Sequence, residues 1–70
     1  MSRSTFAARV RELRLSAACT QENFATLVGT SAETVARWES GRVQPTVASL
    51  VAIADELNVE TDWLLGRTYR

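Results

Sequence analysis

Few side chains in this 70-residue sequence could do chemistry, and their spacing points to charge pairing rather than catalysis. There is no histidine and one cysteine, Cys19. That removes a Cys/His metal site, a histidine-based catalytic dyad and an internal disulfide. The eight acids are scattered, and none stands in a nucleophile–base arrangement, so neither an enzyme nor a cofactor is expected. The eight cations are all arginines. Two glutamate–arginine relationships stand out. Glu33 precedes Arg37 by four residues, the favourable order for an intrahelical pair worth ~0.2–0.5 kcal/mol. Arg14 follows Val10 by four and Glu39 follows Val35 by four. Each charge is therefore placed on the inward side of its helix, where it must be compensated.

The elements that must position these groups are helices. No alternating apolar run exists, and the periodicity is helical throughout. The first helix is expected over 4–17, with Phe6, Val10, Leu13 and Ala17 as its stripe. The second spans Gln21–Val28, capped by Thr20 and stopped by Gly29, with Phe24, Leu27 and Val28 inward. The third spans Ala32–Ser40 and ends at Gly41. Its expected N-cap is Ser31, with a Thr30-x-x-Glu33 capping box one residue earlier as the alternative. Val35 and Trp38 are its core anchors. The fourth follows Pro45 over 46–57, burying Leu50, Ile53, Ala54 and Leu57, with Asn58 as terminator. The fifth covers Thr61–Leu65 and closes at Gly66. None of these helices can bury its stripe alone, so they must pack as one cluster. The chain reads as one all-α domain over 1–70, with 67–70 as a loose tail.

The apolar fraction is 46%, including ten alanines, which is enough for a purely hydrophobic core. No apolar run approaches the ~18 residues of a membrane span, and the first residues open no signal peptide. A soluble protein of a reducing compartment is expected, with Cys19 as a half-buried small apolar residue. The net charge is zero, unlike the basic balance usual in nucleic-acid binders. The distribution is polarised, however. Arg3, Arg9, Arg11 and Arg14 gather at one end, and Asp55, Glu56, Glu60 and Asp62 at the other. One face can meet phosphates while the other repels them.

The informative segment is 21–40. Ala25 is small where a second helix must cross the first, Gly29 permits a tight turn, and Val35 and Trp38 anchor the second helix. Here the sequence resembles the phage repressor and Cro-like helix-turn-helix family. The matching stretches are Thr20-Gln21-Glu22-Asn23-Phe24-Ala25, Gly29-Thr30-Ser31, Val35 through Arg42, and Pro45-Thr46. Further on come Ile53-Ala54, Leu57-Asn58-Val59 and Asp62-Trp63-Leu64-Leu65. Departures at Asn23, Phe24, Thr30 and Asn58 touch packing or caps.

The resemblance implies a five-helix, lambda-repressor-like DNA-binding domain with its helix-turn-helix at helices 2 and 3. Helix 3 would lie in the major groove and helix 2 across the backbone. By the same resemblance Gln21 reaches a phosphate at a helix N-terminus. Ala32, Glu33 and Arg37 occupy base-reading positions. Arg37 can donate twice to guanine, Glu33 can accept from cytosine, and Ala32 offers only a methyl. Ser31 and Thr34 have hydroxyls suited to phosphate, and Arg42 is placed as a backbone clamp. An Arg14–Glu39 salt bridge pinning the recognition helix is likewise implied, with a structural role.

One recognition helix reads few base pairs, so a homodimer on a palindromic operator of double-stranded DNA is expected, acting as a transcriptional repressor. Trp63, Leu64 and Leu65 are the interface candidates. At least one of them belongs in the core. The competing expectation is an antitoxin-like module whose main partner is a protein, favoured by the zero net charge and the acids on helix 4.

Overall fold

The computed structural model describes residues 5–67. Within them the chain forms α1 (Thr5–Ser16), α2 (Gln21–Val28), α3 (Ala32–Ser40), α4 (Val47–Leu57) and α5 (Thr61–Leu65), and no strand. The expected all-α, five-helix architecture is the one observed. The start of the first helix at Ser4, the charge at Arg3 and the tail residues 68–70 lie outside the described residues.

Local chemistry sets the helix starts. Thr20, Ser31 and Thr46 take extended backbone angles, and each hydroxyl accepts the amide N–H three residues on, at Asn23, Thr34 and Ser49. This satisfies one of the orphan donors of each first turn. At α3 the cap is Ser31, so the alternative box opening at Thr30 is not used. Thr46 caps α4 rather than opening it, because its side chain is committed to the Ser49 amide at 3.0 Å.

All five helices end on a residue in the left-handed region: Ala18 (φ 57°), Gly29 (79°), Gly41 (79°), Asn58 (57°) and Gly66 (75°). After α1, α2, α3 and α5 the two following amides fold back onto the last turn. At α1, Cys19 N–H reaches the Arg14 carbonyl and Ala18 N–H the Leu15 carbonyl, each at 3.0 Å. The exposed Ala18 takes this conformation with a Cβ, which costs ~1–2 kcal/mol relative to a right-handed residue. This turn carries the chain away at Ala17, which is exposed and outside α1. The expected stripe of α1 therefore ends at Leu13.

The core gathers Phe6 and Val10 of α1, Phe24, Ala25 and Val28 of α2, Val35 and Trp38 of α3, Ile53 and Ala54 of α4, and Leu64 of α5. Leu13, Leu50, Leu57 and Trp63 pack against it from its edge. Leu27 does not join: it is 41% exposed. The inward arc of α2 runs through 24, 25 and 28, and Leu27 lies about 100° round the helix from Val28. Helix α1 packs on α3 and α5, while α2 packs on α3 and α4, and α4 on α5. The Phe6 and Trp38 rings meet edge to face, 5.9 Å between centroids at 78°. The end of α5 touches the start of α1 so closely that a Cβ at Gly66 would lie 2.7 Å from Thr5 Cγ2. None of the described helices is long and apolar enough to cross a membrane.

Candidate nucleic-acid interface

Helices α2 and α3 are joined by the three residues Gly29, Thr30 and Ser31. The left-handed Gly29 lets Thr30 N–H return to the Ala25 carbonyl at 2.8 Å. The chain then turns sharply into the Ser31 cap. Ala25, 3% exposed, is the small residue under the crossing. The second helix of the unit is held by Val35 and Trp38, both buried.

The opposite face of α3 is polar and open. Glu33 and Arg37 form an ion pair there, Arg37 Nη2 donating to Glu33 Oε2 at 2.6 Å. Their side chains remain 72% and 55% exposed. Ala32 and Thr34 flank them, half-buried. Ser31 Oγ and Thr34 Oγ1 share a hydrogen bond of 3.0 Å, while Ser31 Oγ also accepts the Thr34 amide. Arg42 is exposed just past Gly41, its own amide tied back to the Arg37 carbonyl at 3.0 Å. Ser31, Glu33, Thr34, Arg37 and Arg42 thus decorate α3 and its two ends.

Behind this face lies the ionic clasp that the resemblance implied. Arg14 Nε donates to Glu39 Oε2 at 2.6 Å, and Arg14 Nη2 to Glu39 Oε1 at 3.1 Å. The side chains are only 14% and 6% exposed. Arg14 Nη1 also donates to the Cys19 carbonyl at 3.1 Å, a contact the left-handed turn at Ala18 makes available. The hydrogen bond to Glu39 raises the Arg14 guanidinium above its ordinary value, outweighing the loss of hydration. No buried side-chain nitrogen or oxygen among the described residues lacks a partner.

Gln21 belongs to this clasp as well. Its Nε2 donates to Glu39 Oε1 at 3.2 Å. The spacing of Gln21 and Glu39 carries no sign of this contact, because it depends on how α2 crosses α3. An amide nitrogen has two hydrogens, so the bond to Glu39 orients the group and leaves one donor. The other expectations divide. Leu64 is fully buried in the core and is not available to a partner, a correction to its place among the interface candidates. Leu65 is 39% exposed. Trp63 is half-buried under the Arg9 guanidinium, whose central carbon sits 4.3 Å from the ring centroid. Cys19 is half-buried as expected. Val47 and Val51, 78% and 45% exposed, add an apolar strip on α4 outside its expected stripe.

A helix-turn-helix family model matches residues 10–64. No curated protein matches the chain. Among solved structures, the P22 c2 repressor in complex with a synthetic operator is similar, with a TM-score of 0.84 and 25% identity over 90% of this chain and 96% of that one. The restriction-modification controller protein C.AhdI of Aeromonas hydrophila is 30% identical, with a TM-score of 0.77, over 86% of this chain and 91% of its own. ComR of Streptococcus suis is 31% identical with a TM-score of 0.77, and this chain covers 23% of it.

Proposed function

The chain belongs to the phage repressor and Cro-like helix-turn-helix family, and from that premise we propose that it reads specific double-stranded DNA through the major groove and represses transcription as a dimer on a palindromic operator. The family and the fold are those of DNA-binding regulators rather than enzymes. The observation that carries the finer reading is the open polar face of α3, with Glu33 and Arg37 exposed opposite the buried Val35 and Trp38. In a major groove that face meets base edges, while α2 crosses the sugar–phosphate backbone.

In this reading Arg37, Glu33 and Ala32 face the bases. Gln21 presents its remaining amide hydrogen to a phosphate, held in place by Glu39. Ser31, Thr34 and Arg42 give further backbone contacts, which set register without reading sequence. Dimerisation places two such helices ~34 Å apart on half-sites one turn apart. Leu65, exposed at the end of the fold, and the neighbouring Trp63 supply the self-complementary surface.

Selection from sheared genomic DNA of the source organism tests this directly, with the wild-type protein beside Arg37→Ala. Enrichment of a short palindrome by the wild type, lost or relaxed in Arg37→Ala, is the expected result. A folded wild-type protein that enriches nothing at low salt would overturn the reading and turn attention to a protein partner.

A further inference from the structure

Glu33 and Arg37 are offered to solvent as one object. Their 2.6 Å contact joins Oε2 to Nη2, and both side chains stay largely exposed. The bond to Glu33 uses one hydrogen of Nη2. With that hydrogen the one on the Nε side, the second hydrogen of Nη2 and the facing hydrogen of Nη1 form the open end of the guanidinium fork. The Glu33 carboxylate accepts this bond through Oε2 alone, and a carboxylate oxygen has lone pairs to spare for a second donor. Across the Glu33–Arg37 pair, the free edge therefore runs donor, donor, acceptor: Nη1, Nη2, carboxylate oxygen.

The major-groove edge of a G·C pair runs acceptor, acceptor, donor: guanine N7, guanine O6, cytosine N4–H. The two edges are complementary and in the same order. Guanine O6 and cytosine N4 are hydrogen-bonded to each other across the pair, so they stand a hydrogen-bond length apart. So do Nη2 and Oε2. Resting on the proposed placement of α3 in the major groove, we propose that Glu33 and Arg37 form a single reader of one G·C base pair, with Arg37 on the guanine and Glu33 on the cytosine of that same pair. The other three base pairs mismatch the Glu33–Arg37 pair. A reversed C·G pair sets the cytosine amino group against the guanidinium. An A·T pair sets the adenine amino group against Nη2 and thymine O4 against the carboxylate, and a T·A pair sets O4 and the methyl against the fork. The C·G and A·T pairs leave like groups facing one another, and the T·A pair puts a methyl where the fork needs an acceptor, so the Glu33–Arg37 pair rejects as well as accepts.

The test is binding-site selection from a random duplex library with the full chain as wild type, Glu33→Ala, Arg37→Ala and the double variant. Circular dichroism checks that each is folded, as exposed positions should allow. The wild type is expected to prefer G·C over C·G at one position of each half-site by roughly 10- to 100-fold. Both single variants should relax that same position, and the double variant no further than Arg37→Ala. Replacing the selected guanine by 7-deazaguanine should weaken the wild type and leave Arg37→Ala unaffected. Single variants that relax two different base pairs, or a Glu33→Ala that leaves every position unchanged, would overturn the joint reader while leaving DNA reading intact. A folded wild type that selects no sequence overturns both.

Discussion

Arg14 on α1 grips Glu39 on α3 through two parallel hydrogen bonds of 2.6 and 3.1 Å, across 25 residues of sequence. Such a fork-on-carboxylate contact fixes distance and angle together. With the Phe6–Trp38 edge contact it attaches α3 to α1 at a second point. The position of the exposed polar face of α3 is thus set from behind, by side chains that are themselves nearly buried.

Removing one member of this clasp leaves the other charge nearly buried and unpaired. Arg14→Ala and Glu39→Ala should each cost about 3 kcal/mol in chemical denaturation. The double variant carrying Arg14→Met and Glu39→Leu should cost less than the sum of the singles, because no orphan charge remains. Strict additivity would show that the two side chains do not act as a pair. Alkali should not release the clasp. Its contribution is complete below the ordinary guanidinium pKa and is lost only as pH rises through the raised folded value.

Ala18 holds φ at 57° on an exposed turn. Ala18→Gly should relieve the left-handed strain, partly offset by the greater freedom of an unfolded glycine. A net stabilisation of about 0.5–1 kcal/mol in thermal or urea melts is expected. A destabilised variant would show that the turn is not strained.

Gly29 and Gly66 share a left-handed φ but differ in their surroundings. A Cβ at Gly29 meets nothing within 4 Å, whereas at Gly66 it meets the β-branched Thr5 side chain at 2.7 Å. Gly29→Ala should therefore cost about 1 kcal/mol and Gly66→Ala roughly twice that. Thr5→Ala should recover part of the second loss and none of the first. Equal costs at the two glycines would contradict the close approach of α5 to α1.

Among the proposed DNA contacts, Arg42 and Arg37 should separate by salt. Arg42→Ala should weaken binding about equally across sequences and lower the log–log salt slope by about 0.9 per protomer. Arg37→Ala should relax sequence preference instead. Titrations of matched and mismatched duplexes at several salt concentrations distinguish them. Identical behaviour would remove the division between clamp and reader.

Leu64 and Leu65 are adjacent yet face opposite environments, 0% and 39% exposed. Leu64→Ala should cost about 2–5 kcal/mol. Leu65→Glu should leave the melt nearly unchanged and shift sedimentation toward monomer. A dimer that survives Leu65→Glu would direct attention to the Val47 and Val51 strip.

Helix limits were legible because their signals are local. Thr20, Ser31, Gly29, Gly41, Asn58 and Gly66 each act within one turn of their own position, and each acts as expected. Side-chain direction was legible where a helix has one buried arc, as in α3 with Val35 and Trp38. It failed at Leu27 and Ala17, where the partner helix or the departing chain decides which apolar residue is covered. Ala18 gave no signal, since nothing in an alanine announces a left-handed turn. The Arg14–Glu39 pair was foreshadowed by two inward charges together with the family resemblance. The Gln21 bond to Glu39 depends on the crossing of α2 and α3, and no spacing within one helix encodes it.

The internal engagement of arginines bears on how the protein would search for its target. Arg14 is tied to Glu39, Arg37 to Glu33, and Arg9 lies over the Trp63 ring. With no net charge on the chain, long-range attraction to a polyanion would be weak, and non-specific residence on DNA, which phosphate contacts supply, would be brief. Such a protein gives up rapid electrostatic capture. If it acts on an operator as proposed, fewer copies would be held on the vast excess of irrelevant sequence, and occupancy of a rare site would follow protein concentration more closely.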